Sequence, residues 1–293
     1  MTQTDTPASP KIAKLYEDVP GEQLAQFQKF RAAYPFKHAT IDGVAWEYIA
    51  AGQVNEPLLL LPGALGVPDM SWQHITYFAG RYRVIAPAYS PVKKMDTLVD
   101  GIAGILRRET SGRAHVVGGS YGGFVAQVFV RRHPDMTASL VLSHTLPPDP
   151  ASGEQIRRAL RWLSLMPGGL LRWMVGKRLR TLLPEKTPDT ALLHAFFNEM
   201  ACYRITKEEL INSYWRVVDF NLSDFTPQDL TDWPGRVLLI MADDDPGTPE
   251  PVRAAMLAFY PEAEVHMFHD TGHAAALLKQ DEYLAVVEQF IGD

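Results

Sequence analysis

A chain of 293 residues, 46% hydrophobic and 21% charged, is long enough to bury one large α/β core that carries an insertion. Its net charge of −6 and pI near 5.9 argue against a nucleic-acid partner. The single Cys202 excludes an internal disulfide, fits a reducing compartment and reads as a packing residue.

Residues 1 to about 20 are polar, lack the apolar core of a signal peptide, and read as a loosely attached stretch. No segment reaches the roughly 18 apolar residues of a membrane span, so a cytoplasmic location is expected. An N-terminal extension is placed at 1–35, with a helix over 21–33. Strands over 39–41 and 44–50 flank Asp42-Gly43, a hairpin signal. The run Leu58-Leu59-Leu60-Leu61 stops at Pro62-Gly63, as a strand buried on both faces of a parallel sheet does. A helix over 72–79 and a strand over 82–85 follow. Leu98, Ile102, Ile105 and Leu106 then recur at helical spacing within 95–108. Next come a strand over 114–117, a helix over 124–132 and a strand over 140–142.

The rhythm then breaks. Residues 150–230 read as mainly helical, interrupted at Pro167-Gly168-Gly169, Pro184 and Pro188. Alternation resumes with a strand over 237–241, a helix over 249–259, a strand over 264–268 and a helix over 282–291. This pattern predicts a mostly parallel eight-stranded sheet flanked by helices. The core is split into 36–149 and 231–293, with a helical cap at 150–230 inserted after the sixth strand.

Between the fifth strand and its helix lies Gly118-Gly119-Ser120-Tyr121-Gly122-Gly123. A serine on a sharp strand-to-helix turn, with glycines where a Cβ would collide, is the layout of a nucleophile elbow. A phosphate loop would carry Gly-Lys-Ser/Thr or G-x-G-x-x-G, and neither is present. A serine hydroxyl needs a base, and the base needs an acid to orient it. Functional groups collect at the carboxyl ends of parallel strands. The seventh strand exits into Asp243-Asp244-Asp245 and the eighth into Asp270-Thr271-Gly272-His273. His273 is the expected base, with His266 and His269 as rivals. Asp245 is the expected acid, with Asp149 as rival, and Asp243 and Asp244 read as solvated or turn-capping neighbours. His144 is a pocket candidate. The oxyanion donors are expected from the N–H of Tyr121 and from the loop Pro62-Gly63-Ala64, where Pro62 has no N–H and Ala64 is the choice. No cofactor motif is seen, and the three acids lack the spacing of a calcium loop.

With the order Ser120, Asp245, His273 in place, the chain resembles the α/β-hydrolase superfamily, and within it the maspardin-like proteins. The segments Tyr82-Arg83-Val84-Ile85-Ala86, Gly122-Gly123-Phe124-Val125-Ala126-Gln127 and Ala258-Phe259-Tyr260-Pro261 carry the closer resemblance. It implies the α/β-hydrolase fold and a serine hydrolase acting on an ester or related acyl substrate. Most superfamily members carry His-Gly where this chain has Pro62-Gly63. A maspardin-like binding or adaptor protein is the alternative, as is a C–C bond hydrolase or an aminopeptidase on the same three residues. Epoxide hydrolases use an aspartate where Ser120 stands. The cap's Trp162, Leu165, Leu170, Trp173, Met174, Phe196, Phe197 and Met200 suggest an apolar pocket for small or medium acyl groups. Its arginines suggest a basic face. The expected partner is a small molecule, and the oligomeric state is not read.

Overall fold

The computed structural model describes residues 10–180 and 190–292. Residues 1–9 and the breaks expected at Pro184 and Pro188 lie outside the described residues. The chain opens with α1 (Pro10–Leu15) and α2 (Gly21–Ala33), then the hairpin β1 (Lys37–Ile41) and β2 (Val44–Ala51). Next come β3 (Pro57–Leu61), α3 (Trp72–Phe78), β4 (Arg83–Pro87), α4 (Met95–Glu109), β5 (Ala114–Gly119), α5 (Tyr121–Arg132) and β6 (Thr137–Ser143). A helical block follows: α6 (Pro150–Leu163), α7 (Gly168–Arg180), α8 (Thr190–Glu199), a π-turn (Met200–Arg204) and α9 (Lys207–Asn221). The chain closes with β7 (Arg236–Ala242), α10 (Glu250–Phe259), β8 (Glu264–Phe268), α11 (Ala275–Leu278) and α12 (Gln280–Gly292).

The eight strands form one sheet in the order β1-β2-β4-β3-β5-β6-β7-β8. The β1–β2 and β2–β4 pairs are antiparallel and the remainder parallel. Alternation along each strand sends side chains to two cores. Leu58 and Leu60 of β3 join the layer under α2, α3 and α12, while Leu59 and Leu61 join the layer under α4, α5 and α10. The parallel strands all end on one edge, where β3, β5, β6, β7 and β8 release their loops. No helix among the described residues is long and apolar enough to cross a membrane.

Two expectations are corrected. From residue 10 to about 20 the stretch is packed, not loosely attached, since Tyr16 and Val19 are buried, and the helix expected over 21–33 buries Phe27 and Phe30 beside it. Its few apolar residues meet partners far along the chain, with the Phe27 ring against Trp72 and Phe196. Arg31 bonds both Asp69 and Glu199, Tyr16 donates to Glu199, and Arg204 reaches Asp69. Cys202 is exposed rather than packed, because Met200 takes the inward position of that π-turn.

Phe27 is 2% exposed, so Phe27→Ala is expected to cost about 3–5 kcal/mol of unfolding free energy, read from urea denaturation. A loosely attached segment would lose under about 1 kcal/mol.

Candidate active site

Ser120 sits between β5 and α5 with φ 52° and ψ −121°, a left-handed conformation that a serine adopts only when its surroundings enforce it. The enforcement is visible. Ser120 N–H donates to the Ser143 carbonyl at 2.8 Å, and its own carbonyl accepts from Gly123 N–H at 2.9 Å and from the Thr145 hydroxyl at 3.0 Å. The glycines permit close approach: a Cβ on Gly122 would lie 2.5 Å from the Leu61 carbonyl oxygen, and one on Gly118 would lie 2.3 Å from that of Gly122. The turn can form only where those two side chains are absent.

Asp245 follows β7 and is 2% exposed. Its Oδ1 accepts from Gly247 N–H at 2.7 Å. Its Oδ2 accepts from the Thr248 hydroxyl at 2.8 Å, His273 Nδ1 at 2.8 Å and His144 Nδ1 at 3.1 Å. Burial alone would raise this carboxyl, but the hydrogen bonds from His144 and His273 outweigh it and hold the group well below the usual carboxylate range. An ionised carboxylate only accepts, so both Nδ1 atoms carry a proton toward it. Each Nε2 is buried without a partner.

The structure therefore brings Asp245 and His273 together, 28 residues apart in sequence. The rivals fall elsewhere. Asp149 caps α6, accepting from Ala151 N–H. Asp243 pairs with His269, His266 with Glu282, and Asp244 accepts from Gly272 N–H. His144, a pocket candidate, is a second partner of Asp245. Its φ of 49° turns the chain as β6 ends, and its N–H is held by the Ile240 carbonyl at 2.9 Å.

Ser120, His144 and His273 line a cavity of about 170 Å³ together with Leu60, His74 and Tyr283. Gly63 lines it too, whereas Ala64 lines a separate groove with Gly66 and Tyr89. His273 Nε2 makes no hydrogen bond to Ser120 here. Such bonds often form only once substrate is bound. One donor atom each from His144, Asp245 and His273 falls within 4.8 Å of the others, a set that could take a metal ion. Its Nδ1 atoms are already committed to the carboxylate. Among the described residues, none of the helical block lines this cavity. Trp162, Leu165, Leu170, Trp173 and Met174 are exposed, and none lines the Ser120 cavity. Phe196 and Met200 pack into the core beneath α2. A list of apolar residues does not say which way each one faces.

Two contacts had no sequence signal. Arg216 of α9 is buried and donates from Nε to the Tyr121 hydroxyl at 2.7 Å, tying the helical block to the elbow. His74 of α3 stacks on Tyr283 with ring centroids 5.5 Å apart.

Comparisons with known proteins agree with this architecture. A model described as the alpha/beta hydrolase family matches residues 58–288. Epoxide hydrolase 4 of Mus musculus is 30% identical over 114 residues, 34% of this chain and 31% of that protein. Maspardin of Rattus norvegicus is 33% identical over 106 residues, 34% of this chain and 41% of that protein. These alignments span less than half of either relative. A thermophilic esterase from Thermogutta terrifontis superposes with a TM-score of 0.72 at 20% identity, covering 87% of this chain and 97% of that one.

Asp245→Asn is expected to lower stability at pH 7 by about 2 kcal/mol, since it removes the charge from several hydrogen bonds. A carboxyl whose pKa is depressed by folding adds stability above its unfolded value and loses it as pH falls toward the folded one. The gap between wild type and variant should therefore narrow as pH drops below about 4, measured by urea denaturation across pH.

Proposed function

Because the chain belongs to the alpha/beta hydrolase family, we propose that it is a serine hydrolase cleaving a carboxylic ester or related acyl compound with Ser120, His273 and Asp245. One observation carries the reading: His273 donates from Nδ1 to a buried carboxylate at 2.8 Å, its Nε2 has no other partner, and it lines the same cavity as Ser120.

In this mechanism His273 Nε2 takes the Ser120 proton as the hydroxyl oxygen attacks the substrate carbonyl. Asp245 fixes the imidazole tautomer and stabilises the imidazolium that forms. The developing oxyanion is met by the N–H of Tyr121, at the start of α5, and by that of Ala64, each contributing about 3 kcal/mol. His273 then gives its proton to the leaving alcohol. A water, deprotonated by the same nitrogen, attacks the acyl-serine and releases the acid. Arg216 acts on this site by holding the Tyr121 side chain, and the helical block above it serves as a cap. An aspartate nucleophile of the epoxide-hydrolase kind has no counterpart, since the elbow residue is Ser120. A maspardin-like binding role would leave the elbow unreactive, which one experiment separates.

A fluorophosphonate probe is expected to label the wild type on Ser120 and to leave Ser120→Ala unlabelled. His273→Ala, with its circular dichroism unchanged, should lose at least about 10³-fold in kcat on p-nitrophenyl acetate. Undiminished labelling of Ser120→Ala would overturn the assignment.

A further inference from the structure

The Ser120 cavity carries more hydrogen-bonding capacity than the proposed reaction uses. The reaction needs the Nε2 lone pair of His273 alone. His144 offers a second. Its side chain is 5% exposed, its Nδ1 is committed to Asp245, its Nε2 is buried and unpartnered, and the residue lines the cavity. His74 offers a third. Its imidazole donates to the Ala276 carbonyl, and because Nε2 has no partner the donor is Nδ1. Burial pushes this ring down to about 4, so it is neutral at pH 7 and its Nε2 is an acceptor.

Two imidazoles beyond the base, each with an unpartnered Nε2, thus line one small space, and the ionisable groups lining it are His74, His144, His273 and the buried phenol of Tyr283. None of these is a lysine, an arginine or a carboxylate. Tyr283 is itself hydrogen-bonded with Ser143. A buried acceptor without a donor is costly, so such groups persist where a ligand or a water completes them. The volume of about 170 Å³ is well below that of ordinary drug-sized pockets and fits a short acyl group.

Resting on the hydrolase reading above, we propose that the buried part of the substrate is a short hydroxyacyl group, whose hydroxyl, close to the scissile carbonyl, donates to His144 Nε2 or His74 Nε2. His144 also shares the Asp245 oxygen used by His273, so its loss lowers turnover of every ester. The discriminating quantity is therefore a ratio between two esters of equal size. Wherever a site is built around a substrate hydroxyl, the analogue lacking it is rejected because the site's own polar groups go unpaired.

The test compares kcat/KM for p-nitrophenyl glycolate and p-nitrophenyl propionate, in which a hydroxyl replaces a methyl. Each value is divided by that ester's alkaline hydrolysis rate, and fluorophosphonate labelling is run in parallel. Wild type is expected to favour the glycolate at least about tenfold. His74→Phe and His144→Phe, which keep an aromatic ring without the acceptor, should bring the ratio toward one. If Ser120 is labelled and wild type shows a ratio near one, water completes these lone pairs, and the inference falls while the hydrolase reading stands. A wild-type preference that survives in both variants also overturns it. If Ser120 is unlabelled and neither ester turns over, the hydrolase reading fails and takes the inference with it.

Discussion

One carboxylate organises this molecule's strand-end edge. The Asp245 side chain is wholly buried, and a buried ion costs several kcal/mol unless its oxygens are well bonded. Four donors meet it, from Gly247, Thr248, His273 and His144. Those last two arrive from different strand exits, His273 after β8 and His144 after β6, while Asp245 itself follows β7. Satisfying the charge therefore fixes three loops against one another. It also fixes the tautomer of both imidazoles, since each must spend its Nδ1 proton on the same oxygen. The chemistry open to the cavity follows from that single constraint.

The elbow and the helical block are set by neighbouring contacts. Gly122 lies so close to the Leu61 and Pro62 carbonyls that α5 and the loop after β3 form one unit. Pro62, where superfamily relatives commonly carry histidine, is integrated by another route: its carbonyl accepts from the Tyr89 hydroxyl at 2.8 Å. Tyr89 packs on Tyr121 with centroids 5.6 Å apart, and Tyr121 in turn is held by Arg216 of α9. On the other side the charged cluster of Arg31, Asp69, Glu199 and Arg204 joins the N-terminal helices, the segment before α3 and the end of α8. The helical block is thus fastened to the residue after Ser120 as well as to the N-terminal helices.

Much of this was legible in the sequence, and the reasons are local. The glycines around Ser120 announce a crowded turn because only a missing Cβ permits it. The run at 58–61 and the apolar strands after it announce a parallel sheet, and its carboxyl ends locate Asp245 and His273. What escaped was set by distant or directional contacts. Arg31 meets Glu199 across 168 residues, so the packing of the N-terminal helices left no local trace. His144 reaches Asp245 because its backbone adopts a positive φ, which a histidine in a string of letters does not reveal. The exposed Trp162 and Trp173 looked like pocket walls because composition carries no direction.

The central claim is that Ser120 becomes acylated on the Asp245–His273 pair. The most direct measurement is rapid-mixing turnover of p-nitrophenyl acetate with the quenched protein weighed intact and its peptides mapped. A burst of p-nitrophenol approaching one equivalent per chain is expected, with an added acetyl mass on the peptide containing Ser120. Linear release without a burst or adduct, or an acetyl group on any other residue, would contradict it.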